Sequence, residues 1–185
     1  LSWGLVSTGC KKPRKQMLTS EQTKAIDENI LSEAPTLQLP IQAVLDGRVK
    51  LLGADLSAKS VKVGETFEVT WYWEALEDIS GDWKVFVHFE APGRRRTVHD
   101  HQPMGEIYPF HKWKKGQVIR DKQVIRVSKD FPNGAARLHV GVFDEKAWID
   151  RQQNVRMKVT NTAEVKVPVD GENRILGATL SITGG

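Results

Sequence analysis

Two short stretches gather most of the side chains able to do chemistry, VHDHQP at 98–103 and YPFHKW at 108–113. They bring His99, Asp100, His101, Tyr108, His111 and Trp113 into one segment. His99 and His101 are two apart, so on a strand they share a face, and with His111 as a third ligand they have the residue types that grip one metal ion. The competing role is structural, with Asp100 accepting backbone or Trp hydrogen bonds where the chain enters a long loop. The structural role is the stronger reading, because a two-residue His pair is common and facing ligands are unproven. Neither a metal nor a cofactor is expected.

Aromatic residues offer a second kind of chemistry. Trp83, Tyr108, Phe110 and Trp113 have the ring surfaces to form a stacking platform for a sugar. Trp71, Trp73 and Trp83 follow an alternating pattern and are expected in a core instead. Trp113 is flanked by Lys112, Lys114 and Lys115. That setting predicts an exposed indole touching a protein or a lipid headgroup, so the loop from His99 to Gly116 is the candidate binding surface.

Signatures of catalysis are thin. The chain has no GxSxG elbow, no Gly-rich phosphate loop and no HExxH. Glu74, Glu77 and Asp78 sit at a strand end and turn, and read as a solvated rim rather than a general acid and base. Arg94, Arg95 and Arg96 follow Pro92-Gly93 and are expected on a solvated hairpin tip. Three arginines beside Glu90 give a nucleic-acid site little support.

These residues are positioned by elements legible in the hydrophobic pattern. Thr19 with Gln22 predicts a capping box opening a short helix over 19–34, with Ala25, Ile26 and Ile30 on one face. Whether it docks on the fold or remains a spacer is open at this point. Pro35 and Pro40 cannot continue it, so 35–47 is expected to run extended over a surface or serve as linker. In TFEVTWYWEA, Phe67, Val69, Trp71 and Trp73 alternate with Glu68, Thr70, Tyr72 and Glu74, the period of a half-buried strand. WKVFVHFE places Trp83, Val85, Val87 and Phe89 together in the same way. Further strands are expected near 48–54, 97–101, 117–127, 136–143, 155–160 and 164–167, with turns at Pro92-Gly93, Pro132-Asn133-Gly134 and Asp170-Gly171. Frequent strands without intervening helices predict an all-β fold. The expected form is an antiparallel β-sandwich, immunoglobulin-like or jelly-roll-like, preceded by a short helix and a flexible N-terminal tether. KLLGADLS at 50–57 echoes RILGATLS at 174–181, either as the first strand of a repeated module or as two strands obeying one pattern.

Two resemblances sharpen this. LVSTGC at 5–10 resembles the lipobox of bacterial lipoproteins, with Ser7 where the family favours Leu. The apolar stretch from Leu1 is then the end of a secretory signal whose front is missing. The resemblance implies cleavage after Gly9 and acylation of Cys10. Lys11, Lys12, Arg14 and Lys15 would follow it onto an anionic membrane surface, each adding ~1 kcal/mol. Lys11 rather than Asp after the cysteine favours the outer membrane. Residues 48–145 are similar to a β-sandwich module of bacterial envelope proteins, including the extracytoplasmic tails of mannosyltransferase-type membrane glycosyltransferases. LLGADL, VKVGETFEVTWYWEAL, WKVFVHFE, VHDHQP, the spaced Gly105, Tyr108, Trp113 and Gly116, Arg120-Asp121 and LHVGVFD carry that similarity. It implies architecture without catalysis.

Length and charge agree with this division. The 185 residues suit one sandwich with extensions: 1–10 signal remnant and lipobox, 11–47 tether, helix and linker, 48–185 the β-sandwich with its C-terminal strand. One cysteine excludes an intramolecular disulfide. The net charge of +4 is local, since Lys11, Lys12, Arg14 and Lys15 supply four of the 27 basic residues and the other 23 match the 23 acidic ones. The expected function is therefore non-catalytic binding or assembly by a lipid-anchored envelope protein, as an accessory subunit with an envelope protein partner. The alternative is a carbohydrate-binding module for envelope glycan, and a metal-dependent hydrolase is a distant third. Nucleic acid is not an expected partner.

Overall fold

In a computed structural model describing residues 17–91 and 96–184, the chain folds as a two-layer β-sandwich. Cys10, Lys11, Lys12, Arg14 and Lys15, with Arg94 and Arg95, lie outside the described residues. The elements in order are α1 (Ser20–Asn29), β1 (Ile30–Leu31), β2 (Leu39–Leu45), β3 (Val49–Leu56), β4 (Ser60–Lys62), β5 (Thr66–Ala75) and β6 (Trp83–Glu90). After these come β7 (Arg96–Val98), a 3-10 turn (Phe110–Lys112), β8 (Val118–Arg126), β9 (Gly134–Asp144), α2 (Glu145–Ile149) and β10 (Ile175–Thr183). One sheet runs β1-β8-β5-β3-β2 and the other β4-β10-β9-β6-β7. Pairing is antiparallel except between β4 and β10, which run parallel.

Alternation decides which side chains meet between the sheets. Phe67, Val69, Trp71 and Trp73 of β5 face Val85, Val87 and Phe89 of β6, and all are buried. Trp83 is partly covered at the core's edge, where its indole N–H donates to Ser80 O at 2.9 Å. The outer face of β5 is not simply solvated as the polar half of its pattern predicts. Leu31 and Leu37 fold over it, enclosing Leu52, Tyr72 and Val118 in a second apolar cluster.

That cover answers the question left by the N-terminal helix. Thr19 and Gln22 form the expected capping box, and α1 is held by Arg120, whose Nε donates to Asn29 Oδ1 at 2.8 Å and whose Nη2 donates to Glu28 O at 2.9 Å. β1 then pairs with β8. The stretch read as linker also contributes a strand. Ile41, Ala43 and Leu45 of β2 are buried opposite β3, so the sandwich begins before residue 48. Pro40 is tolerated because β2 is an edge strand.

Two expected strands do not form ladders. Residues 155–160 cross from one sheet to the other: Met157 N donates to Val142 O, whereas Thr160 N donates to Val44 O. Alternating burial survives the crossing, with Val155, Met157 and Val159 inward, but continuous pairing with one neighbour does not. Residues 164–167 are turn and bend, with Lys166 N donating to Ile41 O. The sequence echo falls on β3 and β10, one in each sheet. Each carries a bulge at its glycine, where the register shifts between Leu51 and Gly53 and between Leu176 and Ala178. A Cβ at Gly53 would stand 2.3 Å from Leu39 O, and one at Gly177 would stand 2.7 Å from the Trp71 ring. The echo therefore marks two close approaches of backbone, not the start of a repeated module.

Candidate functional site

The 99–116 segment turns out to be a clasp between the sheets. His99 N donates to Val87 O at 2.8 Å and His101 exchanges backbone hydrogen bonds with Val85, which ties the segment to β6. The side chains reach the other way. His101 Nε2 meets Asp121 Oδ2 at 2.8 Å, Met104 N donates to Asp121 Oδ1 at 2.8 Å, and Gln123 Nε2 donates to His99 O. Gln123 Oε1 also accepts from the Trp71 indole at 3.3 Å. Asp121 and Gln123 lie on the inward face of β8, so their polar groups need these partners. The Asp121 carboxylate holds the His101 pKa above the ordinary imidazole value against the opposing effect of burial. His99 is turned to Thr97 Oγ1 at 2.8 Å, and burial lowers its pKa. Asp100 Oδ1 accepts from the Val87 amide at 3.1 Å, the structural role expected of it, and loss of hydration raises its pKa.

Trp113 overturns an expectation. It is 0% exposed. The 3-10 turn has three residues per turn, so Phe110 and Trp113 point to one side while His111, Lys112 and Lys114 stay outside. The indole packs on Phe110 with ring centroids 4.4 Å apart and donates to Tyr108 O at 2.9 Å, while Tyr108 OH donates to Gln117 Oε1 at 3.0 Å. Phe110 in turn meets Trp73 edge-on. These rings form core, not a platform. Nor does the three-histidine grouping form: His111 is exposed on the turn, and among the described residues no three His, Cys, Asp or Glu side chains are grouped to hold a metal. The acidic rim is as expected, with Lys115 reaching Glu77 at 2.8 Å and its amide donating to Asp78. Arg96 is not on a free tip, since it opens β7 and pairs with Glu90 at 2.6 Å.

A cleft of about 530 Å³ lies on the opposite side, over the outer faces of β6, β7 and β9. Its floor is Phe86 and His88 of β6 and Phe143 of β9. Phe86 lies over Gly141, where a Cβ would come within 2.4 Å of the ring. Arg156 stacks on the same Phe86 ring at 4.7 Å. Val98, Trp148 and Ile149 form the rim and are 58%, 63% and 69% exposed. α2 presents the last two. It is capped by Asp144, whose carboxylate accepts from Ala147 N at 2.9 Å, and Lys84 braces it through Glu145 at 2.7 Å. His88 is only 7% exposed, and its pKa falls to about 4 because burial and the nearby Arg96, Arg156 and Arg174 all disfavour its charged form.

Of the candidate surface expected from sequence, Asp100 alone lines this cleft; its aromatic members do not. The signal of the cleft was present in WKVFVHFE, whose outward positions should be polar but include Phe86 as well as His88.

No protein-family model matches the chain, and no curated protein matches it in sequence. Several solved structures align with it. The C-terminal domain of Wzt aligns over 82% of this chain and 83% of that one at 11% identity, with a TM-score of 0.53. A Niemann-Pick type C2 protein from Japanese carpenter ant aligns over 77% and 98% at 11% identity, with a TM-score of 0.47. A β-glucosidase from Listeria innocua aligns over 71% of this chain but 16% of its own length, at 12% identity and a TM-score of 0.38. The likeness to the Wzt domain supports the β-sandwich architecture and nothing finer.

Proposed function

We propose that this chain is a non-catalytic binding module of the bacterial envelope, tethered by acyl groups on Cys10, and that it takes glycan in the cleft over β6, β7 and β9. The observation that carries the reading is the exposed Trp148 indole at the rim of that cleft, since an open aromatic face beside polar groups suits a sugar ring. The burial of Trp113 removes both the contact expected with a protein partner and the sugar platform expected around that indole, so the choice rests on the cleft. The second reading, assembly with a protein partner, retains one support, the apolar cluster of Val98, Trp148 and Ile149.

A glycan array probed with the full chain separates the two. Binding that is lost in Trp148→Ala supports the glycan module. No bound glycan, together with a membrane protein captured by a photo-crosslinker at position 148, would reverse the order.

A further inference from the structure

Charged residues in the cleft are already matched within the chain. Lys84 pairs with Glu145 at 2.7 Å, Arg96 with Glu90 at 2.6 Å, and Arg156 with Glu172 at 3.0 Å while it stacks on Phe86. The Asp100 carboxylate has the Val87 amide. An incoming carboxylate or phosphate would have to compete with these partners for each cation.

One buried polar atom among the described lining residues is left without a partner, His88 Nδ1; it is closed to solvent, so a ligand meets it once the imidazole turns about its Cβ–Cγ bond toward the cleft. A buried polar group lacking a hydrogen bond costs roughly 1–3 kcal/mol, which a ligand can recover by supplying the missing partner. We propose, building on the glycan reading above, that the cleft selects uncharged sugar and that His88 Nδ1 reads one of its hydroxyl groups. A neutral imidazole presents one donor and one acceptor nitrogen, and a hydroxyl can complement either tautomer, whereas an ammonium can only donate. The sugar's C–H faces then lie against Trp148, Ile149 and Val98, which form the apolar rim. Arg96 faces His88 from β7, Arg156 and Arg174 face it from the segment between α2 and β10, and Glu90 stands beyond it on β6. Burial first, and these guanidiniums after it, keep the imidazole uncharged at neutral pH.

The test is a glycan array holding neutral and acidic glycans, probed with the full chain, His88→Phe, His88→Asn and Trp148→Ala, with affinities for the best hit measured by calorimetry between pH 8 and pH 4. Asn places an amide near the position of Nδ1, so it keeps the hydrogen bond that Phe removes. Expected are neutral hits, binding roughly ten-fold weaker in His88→Phe and most of it retained in His88→Asn, with His88→Phe melting no lower than the wild type at pH 7 because the unpartnered nitrogen is gone. Wild-type affinity should stay level from pH 8 to about pH 5, the range in which the imidazole is neutral. Preference for acidic glycans, or undiminished binding by His88→Phe, would overturn this inference while a Trp148→Ala loss left the glycan reading standing. Binding to no glycan would overturn both.

Discussion

His101 Nε2 stands 2.8 Å from Asp121 Oδ2, joining a segment that pairs with β6 in one sheet to the interior face of β8 in the other. The folded pKa of His101 is raised, so the protonated imidazole is favoured by folding. Its contribution is complete below the unfolded value of about 6.5 and disappears as pH rises through the higher folded value. Urea melts should therefore show stability falling from pH 6 to pH 9, with a shallower slope in His101→Gln. Asp121→Ala strands the imidazole and the Met104 amide, and should cost about 3 kcal/mol or more. An Asp121→Ala protein as stable as the wild type would show that the pair is not a clasp.

His88 has the opposite linkage. Its folded pKa of about 4 lies below the unfolded one, so the unfolded chain binds the extra proton first and stability falls as pH drops from about 6.5 to 4. His88→Phe should remove up to ~3 kcal/mol of that acid sensitivity. Chemical denaturation at pH 7 and pH 4.5 checks the difference.

Two tryptophans should separate stability from binding. Trp113→Ala empties a fully buried site against Phe110 and should destabilise by about 3–5 kcal/mol. Trp148→Ala alters an exposed rim and should change stability by less than about 0.5 kcal/mol while abolishing glycan binding. Paired melts and binding isotherms on the two variants read this directly.

Gly141→Ala should displace the Phe86 ring, because the new Cβ would fall 2.4 Å from Cζ. A cost of about 1–3 kcal/mol is expected, with ligand affinity lowered as the cleft floor shifts. Retained affinity with lost stability would show that Phe86 supports the sheet without shaping the cleft.

The proposed membrane tether makes a separate prediction. Cys10→Ala should move the protein from the membrane to the soluble fraction, and lipoprotein signal peptidase inhibition should leave unprocessed precursor. Unchanged membrane association in the variant would refute acylation as the attachment.

Strand alternation made the interior legible, because Trp71, Trp73, Val85, Val87 and Phe89 obey a period that only one face can bury. It was silent about the second layer over β5, where Tyr72 and Val118 are covered by Leu31 and Leu37, residues distant in the chain. The lysines beside Trp113 suggest exposure, but the three-residue step from Phe110 turns its indole into the core. The cleft depends on a contact between strands, Phe86 over Gly141, and on α2 returning Trp148 to the same face. Such juxtaposition follows from sheet register, which hydrophobic periodicity along one strand does not encode.

The attachment of α1 and β1 has a mechanical side. Only Ile30 and Leu31 pair with β8, and the helix is held through Arg120, so a pull from the N-terminal end meets these few bonds in succession before it loads β2. The ten residues of α1 span about 15 Å as helix and about 33 Å drawn out. Peeling them would lengthen the N-terminal segment by nearly 20 Å with both sheets intact. Force spectroscopy should record that small step at low load, ahead of the rupture of the sandwich.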